Sequence, residues 1–202
     1  YRKYSFERYF DSFDHYYTLY QQRNTELWIE YGEGKITKDE LNRQRFFYPL
    51  QAVGVEDEAL AEQFSKDFFA IIPTKSTLMP HAKEVLEYLA PKYNLYILSN
   101  GFRELQSCKM RSAGVDGYFK KVILSEDLGV LKPWPAIFNF ALSATQSELR
   151  ESLMIGDSWE ADITGAHGVG MHQAFYNVTE RTTFPFLPTY HIHSLKELMD
   201  LL

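Results

Sequence analysis

The sequence predicts an α/β fold in which a doubly wound parallel sheet is joined to a separate, all-helical subdomain. From residue 78 onward, short apolar runs alternate with helical patterns, which is typical of parallel β-α units whose strands are buried on both faces. Residues 1–77 carry helical patterns only. The residues best suited to chemistry directly follow the apolar runs, at the carboxyl ends of strands, where α/β sheets bind their ligands.

The first helix is predicted from a stripe of aromatic residues. They recur at alternating spacings of four and three residues, the period of one helix face, at Phe6, Phe10, Phe13, Tyr17 and Tyr20. The pattern predicts a helix that is already under way at the first residues and continues to Gly32 and Gly34, which end it. These side chains either form the core of a small subdomain that has no β-sheet to pack against, or stack on the base of a substrate. We favour packing, the commoner role.

Two further helices complete the helical subdomain. Thr37, followed three residues later by Glu40, has the pattern of a capping box and predicts a helix that runs toward Leu50. A third helix is predicted over residues 56–72 and ends at Pro73, which cannot continue it.

The predicted core spans residues 78–202, and the helical subdomain spans residues 1–77. The strands of the core are predicted at residues 94–98, 121–124, 153–155, 173–176 and 190–192. The helices of the core are predicted at residues 82–89, 102–113, 135–144, 160–167 and 195–202. Because helices separate the strands, we expect neighbouring strands to be parallel.

Composition limits the function classes. The formal net charge of −6 argues against a general nucleic-acid binder, because a phosphate backbone needs a basic face. Cys108 is the only cysteine, so no intrachain disulfide can form, and a reducing compartment is expected. No apolar run approaches the ~20 residues that span a bilayer. We expect a soluble cytoplasmic protein, a monomer or weak dimer, with no nucleic-acid or membrane partner.

Two segments could hold a phosphate group. Ser99, Asn100 and Gly101 lie between a strand and a helix, where a hydroxyl and backbone N–H groups suit a phosphate. The same residues would also serve as an ordinary helix cap, and this second reading stays open. Lys132 begins a Lys-Pro-Trp-Pro segment whose two prolines fix the backbone, which favours a positioned lysine over a solvated one.

The most specific segment contains two acids. Asp157 follows the apolar run 152–155 and Gly156 directly, and Asp162 lies in the first turn of the next predicted helix. Paired carboxylates at the edge of a sheet suit a hard divalent cation such as Mg²⁺. The competing reading is a helix cap made by an aspartate and a serine. Together with the lysine, the acids favour a metal-dependent site for phosphoryl transfer.

Taken in order, these segments resemble the haloacid dehalogenase superfamily of phosphohydrolases. Residues 98–101 resemble its second motif, residues 132–135 its third and residues 156–162 its fourth. The helical residues resemble the family's helical cap, and the core its Rossmann-like sheet. Short strings at residues 100–106 and 192–198 are most similar to the pyrimidine 5′-nucleotidase branch.

The resemblance implies a role for each site residue. Ser99 and the backbone of Asn100 would hydrogen-bond the transferring phosphoryl group, and Lys132 would neutralise its charge and hold the nucleophile. Asp157 would ligate Mg²⁺, and Asp162 would orient the waters of the metal or Lys132. Trp134 replaces the polar residue more usual between the two prolines, and we expect it at the surface.

The family's first motif, a strand that ends in Asp-x-Asp, has no counterpart in the 202 residues. Residues 11–14 contain two aspartates, but their spacing is wrong and they follow no apolar strand. We expect this chain to lack its nucleophile and its first strand, and to be inactive alone. The strand would lie between those ending at Leu98 and Ile155. We therefore expect about 25–30 further upstream residues in the natural protein, or a strand from another chain.

The leading hypothesis is a Mg²⁺-dependent phosphomonoester hydrolase that works through an aspartyl-phosphate. Its substrate would be a small phosphorylated molecule, with a nucleotide as one candidate. The alternative is a non-catalytic or regulatory protein that binds a phosphate ligand without turnover. A receiver-type signalling domain shares the acidic pocket, but the helical insert and the lysine segment disfavour it.

Overall fold

Helices alone make up the first of two units in the chain. The computed structural model describes all residues, Tyr1–Leu202, and divides them into Tyr1–Ile72 and Pro73–Leu202, where the sequence placed the boundary after residue 77. Two short 3₁₀ turns open the first unit. Its three α-helices are α1 (Phe13–Gly32), α2 (Lys38–Ala52) and α3 (Glu58–Ile71).

The first helix begins later than the aromatic stripe predicts. Ser12 is extended, and its side chain accepts a hydrogen bond from the His15 N–H at 3.0 Å, which caps α1. Phe6 and Phe10 precede the helix yet are fully buried, whereas Phe13 is 52% exposed. The prediction of a helix running from the first residues is therefore wrong. The rings before Ser12 are buried by 3₁₀ turns that fold back on the unit, so their helical spacing does not reflect a helix.

The rest of the helical unit agrees with the predicted packing. The capping box of α2 is confirmed, since the Glu40 N–H donates to Thr37 Oγ1 and the Thr37 N–H donates to the Glu40 carboxylate. Aromatic rings fill the interior: Phe6 lies 4.9 Å from Phe64, centroid to centroid, and Phe46 lies 5.5 Å from Phe64. Such aromatic packing lets a small helical unit bury a core without a sheet.

The second unit alternates helices and strands. Its helices are α4 (Ala82–Leu89), α5 (Arg103–Ser112), α6 (Pro135–Thr145), α7 (Thr164–Gly168) and α8 (Leu198–Leu201). Its strands are β1 (Tyr96–Ser99), β2 (Lys121–Leu124), β3 (Leu153–Gly156), β4 (His172–Tyr176) and β5 (Tyr190–Ile192). No helix of either unit is both long enough and apolar enough to cross a membrane.

All strand pairs are parallel, which confirms the predicted fold class. The strands form two sheets, one of β1 and β2 and one ordered β3-β4-β5. Each residue of β1 and β3 is half-buried, while the inner residues of β4 are fully buried. β1 and β3, the strands that the sequence predicts on either side of a further strand, thus each pair on one edge only.

Helices cover both faces of β3, as a doubly wound arrangement requires. Leu153 and Ile155 pack with Val85 of α4 and Leu198 of α8. Met154, which points to the opposite face, packs with α6 and α7. Leu98 of β1 contacts this same α6–α7 cluster, so the last residues of β1 and the middle of β3 share one apolar layer. This layer supports the ends of both strands.

Candidate active site

Ser99 organises the turn that leads from β1 into α5. Its Oγ accepts hydrogen bonds from the Gly101 N–H at 3.0 Å and from Gln106 Nε2 at 2.6 Å. Both contacts use the oxygen as an acceptor, so the hydroxyl proton stays available for an acceptor on a ligand. The N–H of Gly101, which the sequence assigns to phosphate binding, is engaged inside the turn.

The Asn100 side chain holds the backbone of Lys132. Its Nδ2 donates to the Lys132 carbonyl at 3.1 Å, and its Oδ1 accepts from the Lys132 N–H at 2.8 Å. The carboxamide therefore satisfies both polar groups of one residue 32 positions away. The Asn100 carbonyl in turn accepts from Ser125 Oγ at 3.3 Å, which joins the loop after β2 to the same turn.

Lys132 is a fixed side chain. Its ammonium group donates to the Leu98 carbonyl at 2.8 Å and to Asp162 Oδ1 at 2.6 Å. Only 10% of the side chain is exposed. The peptide bond to Pro133 is cis. Because an ammonium group has three N–H donors, one remains for a ligand. The neighbouring Trp134 is 58% exposed, which confirms its predicted surface position.

Asp162 is positioned by a π-helical turn, Trp159–Ile163, in place of the predicted α-helical first turn. Ser158 caps this turn: its Oγ accepts from the Ala161 N–H at 3.1 Å, and its carbonyl accepts from both Asp162 and Ile163. Asp162 Oδ2 accepts from the Ser158 N–H at 3.1 Å, while Oδ1 faces Lys132. Single π turns of this kind are frequent at functional sites.

Two glycines allow the close approach of the segments around Asp162. A Cβ on Gly156 would lie 2.5 Å from Cβ and Cγ of Asp162, so any larger residue would displace the carboxylate. A Cβ on Gly165 would lie 2.6 Å from Cζ of Phe138 and 2.9 Å from Cα of Pro133. The helix that follows Asp162 therefore packs directly on the loop that carries Lys132.

An aromatic cluster packs the π turn against β4. Trp159 is 4% exposed, and its ring lies 5.1 Å from that of Phe175 on β4. The guanidinium of Arg181 lies over Trp159 and pairs with Glu160 at 2.6 Å. The hydrogen bond from Arg181 lowers the pKa of the Glu160 carboxyl below its usual value. Two residues that lead into Asp162 are therefore held in place.

Asp157 differs from Asp162 in being exposed and free of any hydrogen bond or ion pair. No group of three or more His, Cys, Asp or Glu side chains converges to hold a metal ion. Mg²⁺ is commonly bound by one or two carboxylates together with waters and substrate phosphate oxygens. A free carboxylate at the end of β3 fits that mode as one ligand of an incomplete set.

The structure brings most of the sequence-predicted site residues into one network. Hydrogen bonds connect Ser99 with Gly101, and Asn100 with Lys132 and through it with Asp162, whereas Asp157 lies beside the network without contacting it. Sequence reasoning missed the roles of the Asn100 side chain and of Gln106. Neither has a motif spacing that would reveal it, because their partners are set by the fold.

Comparison with known proteins agrees with the motif order. A family model for a haloacid dehalogenase-like hydrolase matches residues 4–170. YfnB of Bacillus subtilis (strain 168), described as a HAD-hydrolase, is 34% identical over 91% of this chain and 78% of its own length. Pyrimidine 5′-nucleotidase YjjG of Escherichia coli (strain K12) is 33% identical over 91% of this chain and 80% of its own.

A solved structure extends the comparison to the fold. The magnesium-bound crystal structure of YfnB from Bacillus subtilis superposes with a TM-score of 0.87 at 28% identity, over 99% of this chain and 87% of that one. The match therefore includes the helical unit as well as the α/β unit. By fold, by motif order and by sequence identity, this chain belongs to the haloacid dehalogenase-like hydrolases.

Proposed function

We propose that this protein is a Mg²⁺-dependent phosphomonoester hydrolase. The observation that carries the proposal is the contact between the buried Lys132 ammonium and Asp162, at the carboxyl ends of β1 and β3. Asp162 holds the ammonium in a fixed position, and one N–H remains for an oxyanion. A preorganised cation of this kind favours the charge that develops in phosphoryl transfer.

The roles of the other residues follow from their free donors. The Ser99 hydroxyl donates its proton to a phosphoryl oxygen, because its acceptor capacity is used by Gly101 and Gln106. The Asn100 side chain acts through Lys132, because it fixes the Lys132 backbone. The Asn100 backbone itself lies at the start of the turn after β1. Ser99 is the last residue of β1, and the Lys132 ammonium contacts the carbonyl of Leu98 beside it. Together the two side chains would bind the phosphoryl group at the end of this strand.

The nucleophile is proposed to come from outside these 202 residues, since they contain no Asp-x-Asp pair. One-sided pairing of β1 and β3 supports an additional strand between them, and this strand would end beside Ser99 and Asp157. Its aspartate would attack phosphorus and displace the alcohol of the substrate, which leaves with a proton as its bond to phosphorus breaks. Water would then hydrolyse the resulting acyl phosphate, which releases inorganic phosphate and regenerates the carboxylate. The sequence that the gene encodes ahead of Tyr1 checks this directly.

Asp157 is proposed as the ligand that this chain contributes to Mg²⁺. Its carboxylate is exposed and unpaired, in contrast to that of Asp162, which Lys132 and Ser158 occupy. A bound Mg²⁺ would supply charge neutralisation at the phosphoryl oxygens. The magnesium-bound structure of YfnB supports the choice of metal.

A nucleoside 5′-monophosphate is the proposed substrate class, with a pyrimidine base. Support comes from the similarity to pyrimidine 5′-nucleotidase YjjG along most of both chains. The competing function is a regulatory protein that binds a phosphate ligand without turnover. The lack of an Asp-x-Asp pair within these residues is the observation in its favour.

Phosphate release by the protein in the full length that its gene encodes tests the proposal. With Mg²⁺, we expect turnover of p-nitrophenyl phosphate and of pyrimidine nucleoside monophosphates above purine nucleotides and sugar phosphates. Asp157→Asn should abolish release while changing the free energy of unfolding by less than about 0.5 kcal/mol, because the side chain is exposed and unpaired. Asp200→Asn, at an exposed carboxylate in α8, is the matched control and should retain activity.

Absence of release from the whole panel would reject the hydrolase. Calorimetric titration with inorganic phosphate then decides about the competing function, which requires phosphate binding that Lys132→Ala reduces. Full activity in Asp157→Asn would instead show that the metal ligand has been assigned to the wrong residue.

A further inference from the structure

Arg45, in α2, is a buried cation for which the helical unit provides no anion. The residue is 6% exposed and forms no ion pair. Its Nη2 donates to Asn42 Oδ1 at 2.7 Å, but Nη1 reaches Asn24 Oδ1 only at 3.5 Å, the outer limit of a hydrogen bond. Its Nε is buried without any hydrogen-bond partner. A guanidinium carries five N–H donors, and of these at least the Nε–H is unused.

Another arginine between the same two helices, Arg23, has acidic partners that neutralise its charge. Arg23 of α1 donates to Glu30 at 2.8 Å, to Glu26 at 3.0 Å and to Gln44 of α2 at 3.1 Å. Two carboxylates and a carboxamide therefore surround Arg23, although it is less deeply buried than Arg45. The helices supply acidic partners to one arginine and only uncharged ones, two amides and the Tyr20 phenol, to the other.

Aromatic rings enclose the Arg45 guanidinium without neutralising it. The Phe46 and Phe69 rings have centroids 5.2 and 4.9 Å from Arg45 Cζ, and the Tyr20 phenol interacts with the same group. Contacts with ring faces attract a cation but do not cancel its charge. Arginine stays protonated even when buried, so the positive charge remains. A buried, uncompensated charge is costly for a fold.

We propose that Arg45 is the centre of an oxyanion-binding site in the helical unit, which takes a carboxylate or phosphate group. Two oxygens of such a group match the planar guanidinium fork and would occupy Nε together with a free N–H of the terminal nitrogens. The ligand would displace Asn24, whose 3.5 Å contact with Nη1 is the longer of the two, while Asn42 would keep its hydrogen bond to Nη2. This site is additional to the phosphate-binding turn of the α/β unit.

The test is thermal unfolding of the whole protein with increasing inorganic phosphate, against sodium chloride at equal ionic strength. All variants carry Lys132→Ala, which removes the proposed phosphate-binding cation of the α/β unit from the measurement. We expect a saturable rise of the unfolding midpoint with phosphate. Arg45→Met should raise the apparent dissociation constant at least about 10-fold, the loss expected for charge-assisted hydrogen bonds.

Arg43→Met is the matched control, because Arg43 lies on the same helix, is exposed and pairs with Glu58 at 2.5 Å. It should keep the response to phosphate. An acetate titration separates the two ligand chemistries: a rise with acetate as well assigns the site to oxyanions in general, and a rise with phosphate alone to a phosphate group.

Arg45→Lys supplies a second, gentler variant, since it keeps the charge but loses the fork. In ¹⁵N spectra, the Nε–H signal that this variant removes should shift on addition of phosphate to the Lys132→Ala protein. The same midpoint rise in Arg45→Met as in the control, or an Arg45 Nε–H signal that does not move, would overturn the proposal.

Discussion

Lys132 Nζ lies 2.6 Å from Asp162 Oδ1, and the two side chains are only 10% and 7% exposed. The pair joins the loop before α6 to the π turn after β3. Because Lys132 also donates to the Leu98 carbonyl, the same ammonium connects the ends of β1 and β3 across two separate sheets. The residue proposed to bind phosphate is therefore also a structural element of the α/β unit.

Breaking this pair should cost stability as well as activity. Lys132→Ala leaves the Asp162 carboxylate buried without its cation, and losing one member of a buried pair costs about 3–5 kcal/mol. Asp162→Asn should also destabilise the fold, because the carboxamide is uncharged and has one oxygen in place of the two that accept separately from Lys132 and from the Ser158 N–H. Denaturant unfolding of the single and double variants measures the coupling, which we expect to exceed about 1 kcal/mol. Strictly additive losses would show that the contact contributes nothing to stability.

Gly156 is expected to tolerate no side chain. In Gly156→Ala, the new methyl would lie 2.5 Å from Cβ and Cγ of Asp162, so the carboxylate must move away from Lys132. Overpacking of this kind costs about 1–3 kcal/mol, and phosphate release should fall with it. Gly168→Ala is the control, because a methyl group added there would meet no other atom within 4 Å. A Gly156→Ala protein as stable as the control would contradict the close approach.

The motif segments were predictable from sequence because each follows a strand, and parallel strands bring their carboxyl ends to one edge. Lys132 and Asp162 meet there, as does the turn at Ser99. The π turn and the carboxamide of Asn100 were not predictable. Helical period does not separate one turn type from another, and a contact across 32 positions depends on the loop conformation.

The error at the start of the chain has a similar origin. Aromatic spacing of three and four residues indicates one face of a helix only if the backbone is helical throughout. Ser12 caps the helix at its start. The preference of serine for this position is a local signal that outweighs the helical spacing of the aromatic residues. Phe6 and Phe10 are buried all the same, so the stripe identified core residues even where it predicted the wrong backbone.

Asn100 is expected to be a positioning residue for Lys132. Asn100→Ala removes both hydrogen bonds to the Lys132 backbone and should cost about 1–3 kcal/mol. Asn100→Asp keeps an acceptor for the Lys132 N–H but cannot donate to its carbonyl. We expect kcat to fall about 10- to 100-fold in both variants, as for a displaced catalytic group, with a smaller change in KM. Asn94→Ala, at an exposed asparagine before β1, should leave both constants unchanged.

Alkaline pH should unfold the helical unit through its buried tyrosines. Tyr16 is 4% exposed, and burial raises the pKa of its hydroxyl well above the ordinary value of 10.0. Burial likewise raises the pKa of Tyr20, against an opposing effect of Arg45. A phenol that must stay neutral in the folded state contributes its full stability below about pH 10, and this contribution is lost as the pH rises further. Tyr16→Phe removes that group, so the midpoint of alkaline unfolding, followed by circular dichroism, should move to higher pH. Tyr9→Phe, at a 38% exposed ring, should not move it, and equal shifts in the two variants would exclude burial of Tyr16 as the cause.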